Sequence, residues 1–253
     1  MAAKISIKDL TMAYGSLVVM HDLNFEIQDK EIFVIMGGSG CGKSTLLRHL
    51  IGLQEPAKGS ILYDEEDLTA TDPAERGSFM KRFGVMYQSG ALWSSLTLGE
   101  NISMPLQESG KIPPNTIQDL VSYKLSLVGL SGYEDYYPSQ ISGGMKKRAG
   151  IARAMALDPD ILFLDEPGAG LDPLSSRRLD DLVLRLRDSQ GSTIVIVTHE
   201  LASIFNIADK AIFLDTVTRT QGALGNPVNL RDHSENPAVR LFLNRGELPE
   251  LLP

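Results

Sequence analysis

Short apolar runs alternate with helical patterns along most of the chain. Five runs are mostly apolar, which is typical of strands buried on both faces of a sheet. They span residues 31–36, 83–88, 160–165, 193–198 and 211–214. Between several of them, apolar residues recur with the 3.6-residue period of an amphipathic helix. This order predicts an α/β fold with a parallel central sheet.

The N-terminal region has a different pattern, in which apolar and polar residues alternate. Residues 4–8 alternate in this way, which predicts a half-buried strand, and residues 11–15 are expected to break it. Two more short strands are predicted at 17–20 and 23–27. Tyr14 would then lie in a turn, where an aromatic residue is usually a packing residue.

The region 89–156 has few β-branched runs and several helical patterns. The clearest of these covers Thr116–Val128, where apolar residues mark one face and Pro113-Pro114-Asn115 precede the first turn. We expect this region to be a helical insertion within the α/β chain.

The segment Met36–Thr45 carries the phosphate-binding P-loop pattern, with glycines at 37 and 42 followed by Lys43 and Ser44. It lies between a predicted strand and a predicted helix, which is the context the pattern requires. Glycines let backbone N–H groups turn inward around an oxyanion, and a helix start adds partial positive charge. Lys43 would contact the β- and γ-phosphates, and Ser44 would bind Mg²⁺. The pattern predicts binding of a nucleoside triphosphate.

The chain has one cysteine, Cys41, and it lies inside this loop. A single cysteine excludes an internal disulfide and fits a reducing compartment. A small residue packed in a tight loop is the favoured interpretation over a redox role.

Two carboxylates, Asp165 and Glu166, end the apolar run before Pro167. Acidic residues at the carboxyl end of a parallel strand lie where α/β proteins bind ligands. Asp165 fits an acid that holds Mg²⁺, and Glu166 could orient or deprotonate the attacking water. The alternative is a pair of solvated loop acids.

Other polar residues occur where predicted strands end or helices begin. Gln88 and His199 each follow a strand, although a lone histidine is more often structural than catalytic. Ser142-Gly143-Gly144 begins a basic helix. The backbone N–H groups and the dipole at its start make it a second potential anion site, as at the P-loop. Asp172 precedes Pro173 at a helix start, and helix capping alone could explain it.

Composition fits an ordinary soluble domain, with 43% hydrophobic and 22% charged residues in 253. A net charge of −8 argues against a primary nucleic-acid role. No apolar stretch approaches the roughly 18 residues that a membrane span needs, and the N-terminus lacks a signal-peptide pattern. We expect a cytoplasmic protein that reaches a membrane only through partners.

Taken together, the chain resembles the ABC-type ATPases over about residues 5–214. The resemblance rests on the order of six motifs: the P-loop, Gln88, Ser142-Gly143-Gly144, Asp165-Glu166, Gly170-Leu171-Asp172 and His199. It implies a P-loop NTPase core with an N-terminal antiparallel β-subdomain and an inserted α-helical subdomain. It also implies ATP and Mg²⁺ as cofactors, and a head-to-tail dimer that encloses two ATP molecules.

The resemblance also implies roles for individual residues. Tyr14 would stack on adenine, Gln88 would sense Mg²⁺ and the γ-phosphate, and Asp172 would be the D-loop acid. Catalysis would depend on Lys43, Gln88, Glu166 and His199. The implied Mg²⁺ ligands are Ser44, Gln88 and Asp165. The implied nucleotide-binding residues are Tyr14, Gly37, Gly38, Ser39, Gly40, Cys41, Gly42, Lys43, Ser44, Thr45, Gln88, Ser142, Gly143, Gly144, Asp165, Asp172 and His199.

The signature motif Ser142-Gly143-Gly144 would reach the γ-phosphate of an ATP held by the second subunit. Ile141 and Met145 replace the usual leucine and glutamine beside it. The serine and glycines that donate to phosphate are retained, so phosphate contact should survive. The missing glutamine puts a ribose or partner contact in doubt.

Four segments resemble a narrower group, the MlaF/Mkl-like ATPases of lipid-trafficking systems built with mammalian-cell-entry (MCE) proteins. They are GGSGCGKSTLLRHLIGL, YQSGALWSSLTLGENI, YPSQISGGMKKRAGIARAMALDPDILFLDEP and NPAVRLFLNRG. This resemblance implies an ATPase subunit of a transporter that moves phospholipid or another lipid between membranes. The implied partners are a second copy, integral-membrane permease subunits at the cytoplasmic face, and an MCE-domain protein with its lipid. Trp93 would anchor a permease helix or pack within the subdomain.

Two other classes remain as alternatives. A scaffold ATPase of the same fold, such as an iron–sulfur assembly factor, would bind soluble partners. DNA-repair and translation ATPases of this superfamily form the second class, but they carry coiled coils, zinc modules or tandem cores, none of which the sequence contains. A protein that only senses nucleotide is disfavoured, because it would not need the acid Glu166.

One ATPase domain over 1–253 is expected. Its core would comprise about 1–88 and 157–230, its helical subdomain about 89–156, and its C-terminal helix and tail about 231–253. Within that last part, a helix is predicted from Asn236-Pro237 through Leu243.

Overall fold

The computed structural model describes residues 3–72 and 75–246, so the tail 247–253 falls outside the described residues. The first half of the chain contains β1 (Ala3–Tyr14), β2 (Leu17–Gln28), β3 (Ile32–Met36), α1 (Lys43–Leu50), β4 (Lys58–Tyr63), β5 (Glu66–Asp67), α2 (Gly77–Met80), β6 (Phe83–Met86), α3 (Leu98–Glu108) and α4 (Pro114–Leu127). The second half contains α5 (Gly143–Ala154), β7 (Ile161–Asp165), α6 (Pro173–Gln190), β8 (Thr193–Val197), α7 (Leu201–Ile207), β9 (Lys210–Asp215), β10 (Thr220–Gly225), α8 (Pro227–His233) and α9 (Pro237–Leu243).

The chain divides into two compact units, one comprising Met1–Met80 with Thr193–Pro253 and the other Lys81–Ser192. In the first unit, β1 pairs antiparallel with β2 and β4, and β4 pairs with β5. In the same unit β3 lies between β8 and β9 and is parallel to both. Every residue of β3 and β8 is buried, which is why their sequences are continuous apolar runs.

The second unit contains a parallel pair, β6 and β7, and the helices α3 to α6. Its helical core is formed by apolar residues that share the inner faces of α3 and α4, among them Leu98, Ile102, Val121 and Leu125. Helix α5 packs directly on β6, because a β-carbon added at Gly84 would lie 2.1 Å from the carbonyl oxygen of Ala154.

The predicted break at 11–15 is wrong, and so is the division of 17–27 into two strands. β1 continues to Tyr14, and β2 is one strand. Asp9 and Asp22 have positive φ angles of 48° and 53°, and the register shifts near both. Such bulges interrupt the period-two alternation without ending the pairing, and this explains why the sequence pattern suggested breaks.

One further expectation needs correction. The strand predicted to end at Gln88 ends at Met86, so Gln88 is a loop residue. The predicted run 211–214 lies within β9, and an additional strand, β10, follows and pairs antiparallel with it. All residues of β10 are half-buried, so this edge strand lacks the strong apolar signal of the buried ones.

Candidate functional site

The P-loop has the shape of a phosphate cradle. Gly37, Gly40 and Gly42 have φ angles of 151°, 75° and 96°, which other residues rarely adopt. Space is also restricted, since a β-carbon at Gly37 would lie 2.8 Å from the carbonyl oxygen of Leu214. The loop backbone can therefore approach an anion closely only with glycine at these positions.

Helix α1 begins with features that suit an anion. Its N-cap residue is Gly42, no side chain caps its first N–H groups, and its first turn contains no acidic residue. Lys43 is 9% exposed, and its ammonium donates to the carbonyl oxygens of Gly37 and Gly38 at 2.9 Å each. These groups fit the negatively charged phosphates of a nucleotide.

Cys41 is buried behind the loop and fills the space beside Gly37, where an added β-carbon would lie 2.7 Å from its sulfur. Burial raises the pKa of the Cys41 thiol, which disfavours the reactive thiolate. This geometry favours a packing residue over a redox role.

Tyr14 lies beside the first turns of α1, at the end of β1. Hydrogen bonds from Thr45 and then Arg48 lower the pKa of its phenol, and the Arg48 guanidinium lies 3.3 Å from the phenol oxygen. The ring is nevertheless 48% exposed. The structure thus presents an accessible aromatic ring next to the P-loop, where an adenine base could stack. Sequence reasoning did not identify Arg48.

His199 lies at the same edge of the sheet as the P-loop. Parallel β3 and β8 pair Ile35 with Val197, and the Thr198 amide donates to the Ile35 carbonyl oxygen at 3.2 Å. His199 follows, with an exposed side chain. Because parallel strands end at a common edge, the histidine that follows β8 is close to the loop that follows β3.

In the second unit, Gln88 and Glu166 occupy matching positions. The register of β6 and β7 places Met86 opposite Leu164, so each of the two residues lies two positions further along its strand direction. Glu166 is 9% exposed and has a φ of 47°, a strained conformation that costs about 1–3 kcal/mol. Such strain at a buried acid is typical of functional sites.

The signature motif lies at the start of α5. Ser142 is the N-cap, and its hydroxyl accepts from the Met145 amide at 3.3 Å. Ser142 and Gly143 are exposed, and a β-carbon on Gly143 would lie 3.9 Å from Leu171. The start of this helix is therefore accessible to an anion.

Asp172 caps α6, as its position before Pro173 suggested. Its carboxylate accepts from the Leu174 and Ser175 amides at 3.0 Å each and from the Ser175 hydroxyl at 2.5 Å. The Ser175 hydroxyl is the main cause of the lowered pKa of Asp172. Capping thus accounts for an aspartate at this position.

The predicted site residues are divided between the units. Tyr14, residues 37–45 and His199 lie in the first, and Gln88, residues 142–144, 165, 166 and 172 lie in the second. A residue that sequence reasoning missed is Lys147, a buried lysine of α5 that donates to the carbonyl oxygens of Gln88 and Glu166. Lys147 lies between Lys146 and Arg148 in a run of basic residues. The sequence does not show which of the three side chains faces the interior of the unit, so it gave no signal for Lys147.

The residues expected to bind Mg²⁺ supply oxygen ligands of three kinds: the Ser44 hydroxyl, the Gln88 amide and the Asp165 carboxylate. Oxygen ligands suit this hard cation, which usually keeps several waters and binds few protein groups. Across residues 3–72 and 75–246, no cluster of three or more histidine, cysteine, aspartate or glutamate side chains forms a metal cage. The Ser44 hydroxyl, the Gln88 amide and the Asp165 carboxylate are each donors of the kind that Mg²⁺ prefers.

Trp93 is not a core residue. Its side chain is 55% exposed, while its backbone is fixed by buried Asn101, which accepts from the Trp93 amide at 2.7 Å and donates to its carbonyl oxygen at 3.1 Å. The backbone that carries this exposed indole is therefore fixed by Asn101.

The family model described as ABC transporter matches residues 20–169. The chain is 40% identical over 244 residues to the probable ribonucleotide transport ATP-binding protein mkl of Mycobacterium leprae, covering 96% of this chain and 70% of that one. It is 39% identical over 210 residues to the intermembrane phospholipid transport system ATP-binding protein MlaF of Haemophilus influenzae, covering 83% and 80%.

A solved structure also matches, the dimeric post-hydrolysis state of the ATP-binding cassette MJ0796 bound to ADP and Pi. It has a TM-score of 0.79 and 27% identity, and the match covers 88% of this chain and 98% of that one. The chain belongs to the ABC transporter family and is an ATP-binding, ATP-hydrolysing subunit. The predicted fold class is confirmed.

Within the described part of the chain, no helix combines the length and the apolar character that crossing a membrane requires.

Proposed function

We propose that this ATPase drives a membrane transporter that moves phospholipid or another lipid between membranes. The supporting observation is the similarity to MlaF, a protein named for intermembrane phospholipid transport, over 80% of that relative's length. The mkl relative is named for ribonucleotide transport. Ribonucleotide is therefore the second candidate substrate, and the experiment below separates the two.

The nucleotide sites are proposed to form between two copies. One copy supplies the P-loop with Lys43, while the other supplies the exposed start of α5 at Ser142 and Gly143. The dimeric cassette bound to ADP and Pi, with its TM-score of 0.79, supports this arrangement. The start of α1 has no side-chain cap, and the start of α5 is exposed at Ser142 and Gly143, so both can contact phosphate. ATP therefore binds the closed pair better than the open one and so drives closure.

In each such site, Tyr14 would stack on adenine, and Ser44, Gln88 and Asp165 would hold Mg²⁺, which would neutralise charge on the phosphates. Glu166 accepts a proton from the attacking water, and His199 contacts the γ-phosphate. Asp172 connects the two copies in addition to capping α6.

We assign these functions to one domain over 1–253, with its core at about 1–88 and 157–230. The helical subdomain covers about 89–156, and the C-terminal part about 231–253. The combination of burial and backbone strain at Glu166, which is 9% exposed and has a φ of 47°, supports an active hydrolytic site.

A groove of about 420 Å³ in the second unit is proposed to receive a cytoplasmic helix of a permease subunit. Its lining includes Tyr87, Ala91, Trp93, Pro105, Arg153 and Leu157. Tyr87, Trp93 and Leu157 are 37%, 55% and 39% exposed, an apolar combination typical of a binding surface. The groove adjoins Gln88, so a docked helix could respond to the nucleotide. This contact would hold the ATPase at the cytoplasmic face of the membrane, beside an MCE-domain protein.

Purification of the tagged chain from its native membranes in mild detergent tests this function. We expect integral-membrane partners, an MCE-domain protein and copurifying phospholipid, together with ATPase activity stimulated by added phospholipid vesicles. Ribonucleotide-stimulated activity without bound lipid would contradict the lipid assignment. Recovery with soluble partners alone would favour the scaffold ATPase instead.

A further inference from the structure

The side chain of Lys147 is buried in the second unit, where it contacts the backbone of two site residues. It is 8% exposed. Its ammonium donates to the carbonyl oxygen of Gln88 and, at 3.1 Å, to that of Glu166. A buried charge is tolerated only where hydrogen-bond acceptors replace water, and here backbone carbonyls supply that replacement.

We propose that Lys147 is a positioning residue for ATP hydrolysis. Its ammonium links the backbones of Gln88 and Glu166 and so fixes the two side chains relative to each other. This inference rests on the proposed roles of Gln88 at the Mg²⁺ ion and of Glu166 at the attacking water.

Strand pairing does not fix these two residues. The register of β6 and β7 ends with Met86 opposite Leu164, and Gln88 and Glu166 lie two residues beyond that last pair. Ladder hydrogen bonds therefore do not set the distance between them. The Lys147 ammonium connects the Gln88 and Glu166 backbones beyond the last residue pair of the β6–β7 ladder.

Glu166 needs such a connection because its backbone is strained. Its φ angle is 47°, in the left-handed region that residues with side chains rarely adopt. Its carbonyl oxygen accepts from two donors, the Lys147 ammonium at 3.1 Å and the Ala169 amide at 3.2 Å. Removing the lysine leaves one of these donors to hold the conformation.

Lys147 also belongs to a face of α5 that holds the loop after β6. Residues 147, 150 and 153 follow one another at helical spacing. The Arg153 guanidinium donates to the Ala91 carbonyl oxygen at 2.5 Å, and Gly150 allows the close approach of Gly90. The same helix begins at Ser142, so the loop that carries Gln88 moves with the signature motif.

The test compares K147M with K124M in the entire chain. Methionine removes the charge and the donors but keeps an unbranched side chain of similar length. Lys124 is the matched control, because it is also a buried lysine of the second unit, 1% exposed, and its partner is Asp158. Asp158 has no assigned role in the site.

We expect K147M to lower kcat for ATP hydrolysis by on the order of 10- to 100-fold, since small misplacements at a reacting centre have effects of this size. The ATP dissociation constant should change less than about twofold, since the P-loop is untouched. Hydrogen exchange should become faster in peptides covering 87–91 and 166–169. K124M should show neither change at temperatures where it is folded.

Three results would overturn the positioning role: a kcat for K147M equal to that of K124M, unchanged exchange in both peptides, or failure of K147M alone to fold. The proposed function is tested separately by the parent chain. If the parent is not coupled to a membrane transporter but hydrolyses ATP, the kcat comparison stands. If the parent does not hydrolyse ATP, the proposed function fails, and hydrogen exchange still decides whether Lys147 fixes the two backbones.

Discussion

The α-carbon of Gly150 lies so close to Gly90 that a β-carbon added to it would be 2.8 Å from the Gly90 carbonyl oxygen and 3.0 Å from its α-carbon. Gly150 is in the middle of α5, where glycine normally weakens a helix. The contact explains why glycine is nevertheless present. It joins the signature helix to the loop that follows β6.

G150A is expected to destabilise the protein, although glycine-to-alanine changes inside helices usually stabilise by about 0.5–1 kcal/mol. Backbone atoms that must move to admit a methyl group cost about 1–3 kcal/mol. The midpoint of thermal unfolding should therefore fall, and ATPase activity should fall with it. G77A is the control, since an added β-carbon there meets nothing within 4 Å. Equal shifts in the two variants would contradict this explanation.

E166Q should bind ATP as the parent does but lose most of its turnover. The amide keeps the shape of the side chain while removing its ability to accept a proton, and the loss of a general base typically lowers kcat by about 10²–10⁴-fold. Steady-state kinetics and equilibrium binding of labelled ATP measure the two effects. Hydrolysis at the parent rate would remove Glu166 from the mechanism.

W93A should release the chain from its membrane partners without impairing its fold. Removing an exposed aromatic side chain that anchors a binding surface commonly costs about 2 kcal/mol or more of binding free energy. Copurification of permease subunits should therefore decrease by at least about tenfold. Y123A, which truncates another exposed aromatic residue of the same unit (48% exposed), is the control. If W93A recovers as much permease as the parent chain does, Trp93 does not anchor a permease helix.

Stability should decrease in mild acid because of His49. This side chain is 1% exposed, burial lowers its pKa, and its Nδ1 lies 2.8 Å from the Gln54 carbonyl oxygen. Below about pH 6.5 the unfolded chain binds a proton at this position and the folded chain does not. The stabilisation is therefore complete above that pH and is lost as the pH falls.

H49Q should consequently show a shallower decrease in the free energy of unfolding between pH 7.5 and 5.5, measured by urea titration. The exposed His233 of α8 provides the matched control. Equal changes of slope in H49Q and H233Q would show that burial of His49 is not responsible.

The sequence predicted those parts of the fold whose signals are local. The buried strands β3, β7 and β8 are continuous apolar runs, and the starts of α1, α5, α6 and α9 follow a glycine loop or a capping residue. The prediction from sequence was wrong where bulges shift the alternation of apolar and polar residues in β1 and β2, and it did not include the half-buried edge strand β10. Those elements depend on pairing partners, which local patterns do not contain.

For the candidate site, motif spacing predicted the P-loop, Asp165, Glu166 and the signature motif. Lys147 and Arg48 were missed for a different reason. Their importance comes from contacts with residues distant in sequence, such as the Gln88 carbonyl oxygen and the Tyr14 phenol. A lysine or arginine in a basic helix gives no sequence signal that distinguishes such contacts from solvent exposure.

The claim that each nucleotide site is shared between two copies is tested most directly by mixing two inactive variants. K43A disables the P-loop and G143D disables the signature motif. Random pairing of equal amounts gives mixed dimers that contain one intact site each, so the mixture should recover about a quarter of the parent ATPase rate, although each variant alone is inactive. A mixture as inactive as its components, or full activity of G143D by itself, would contradict the shared site.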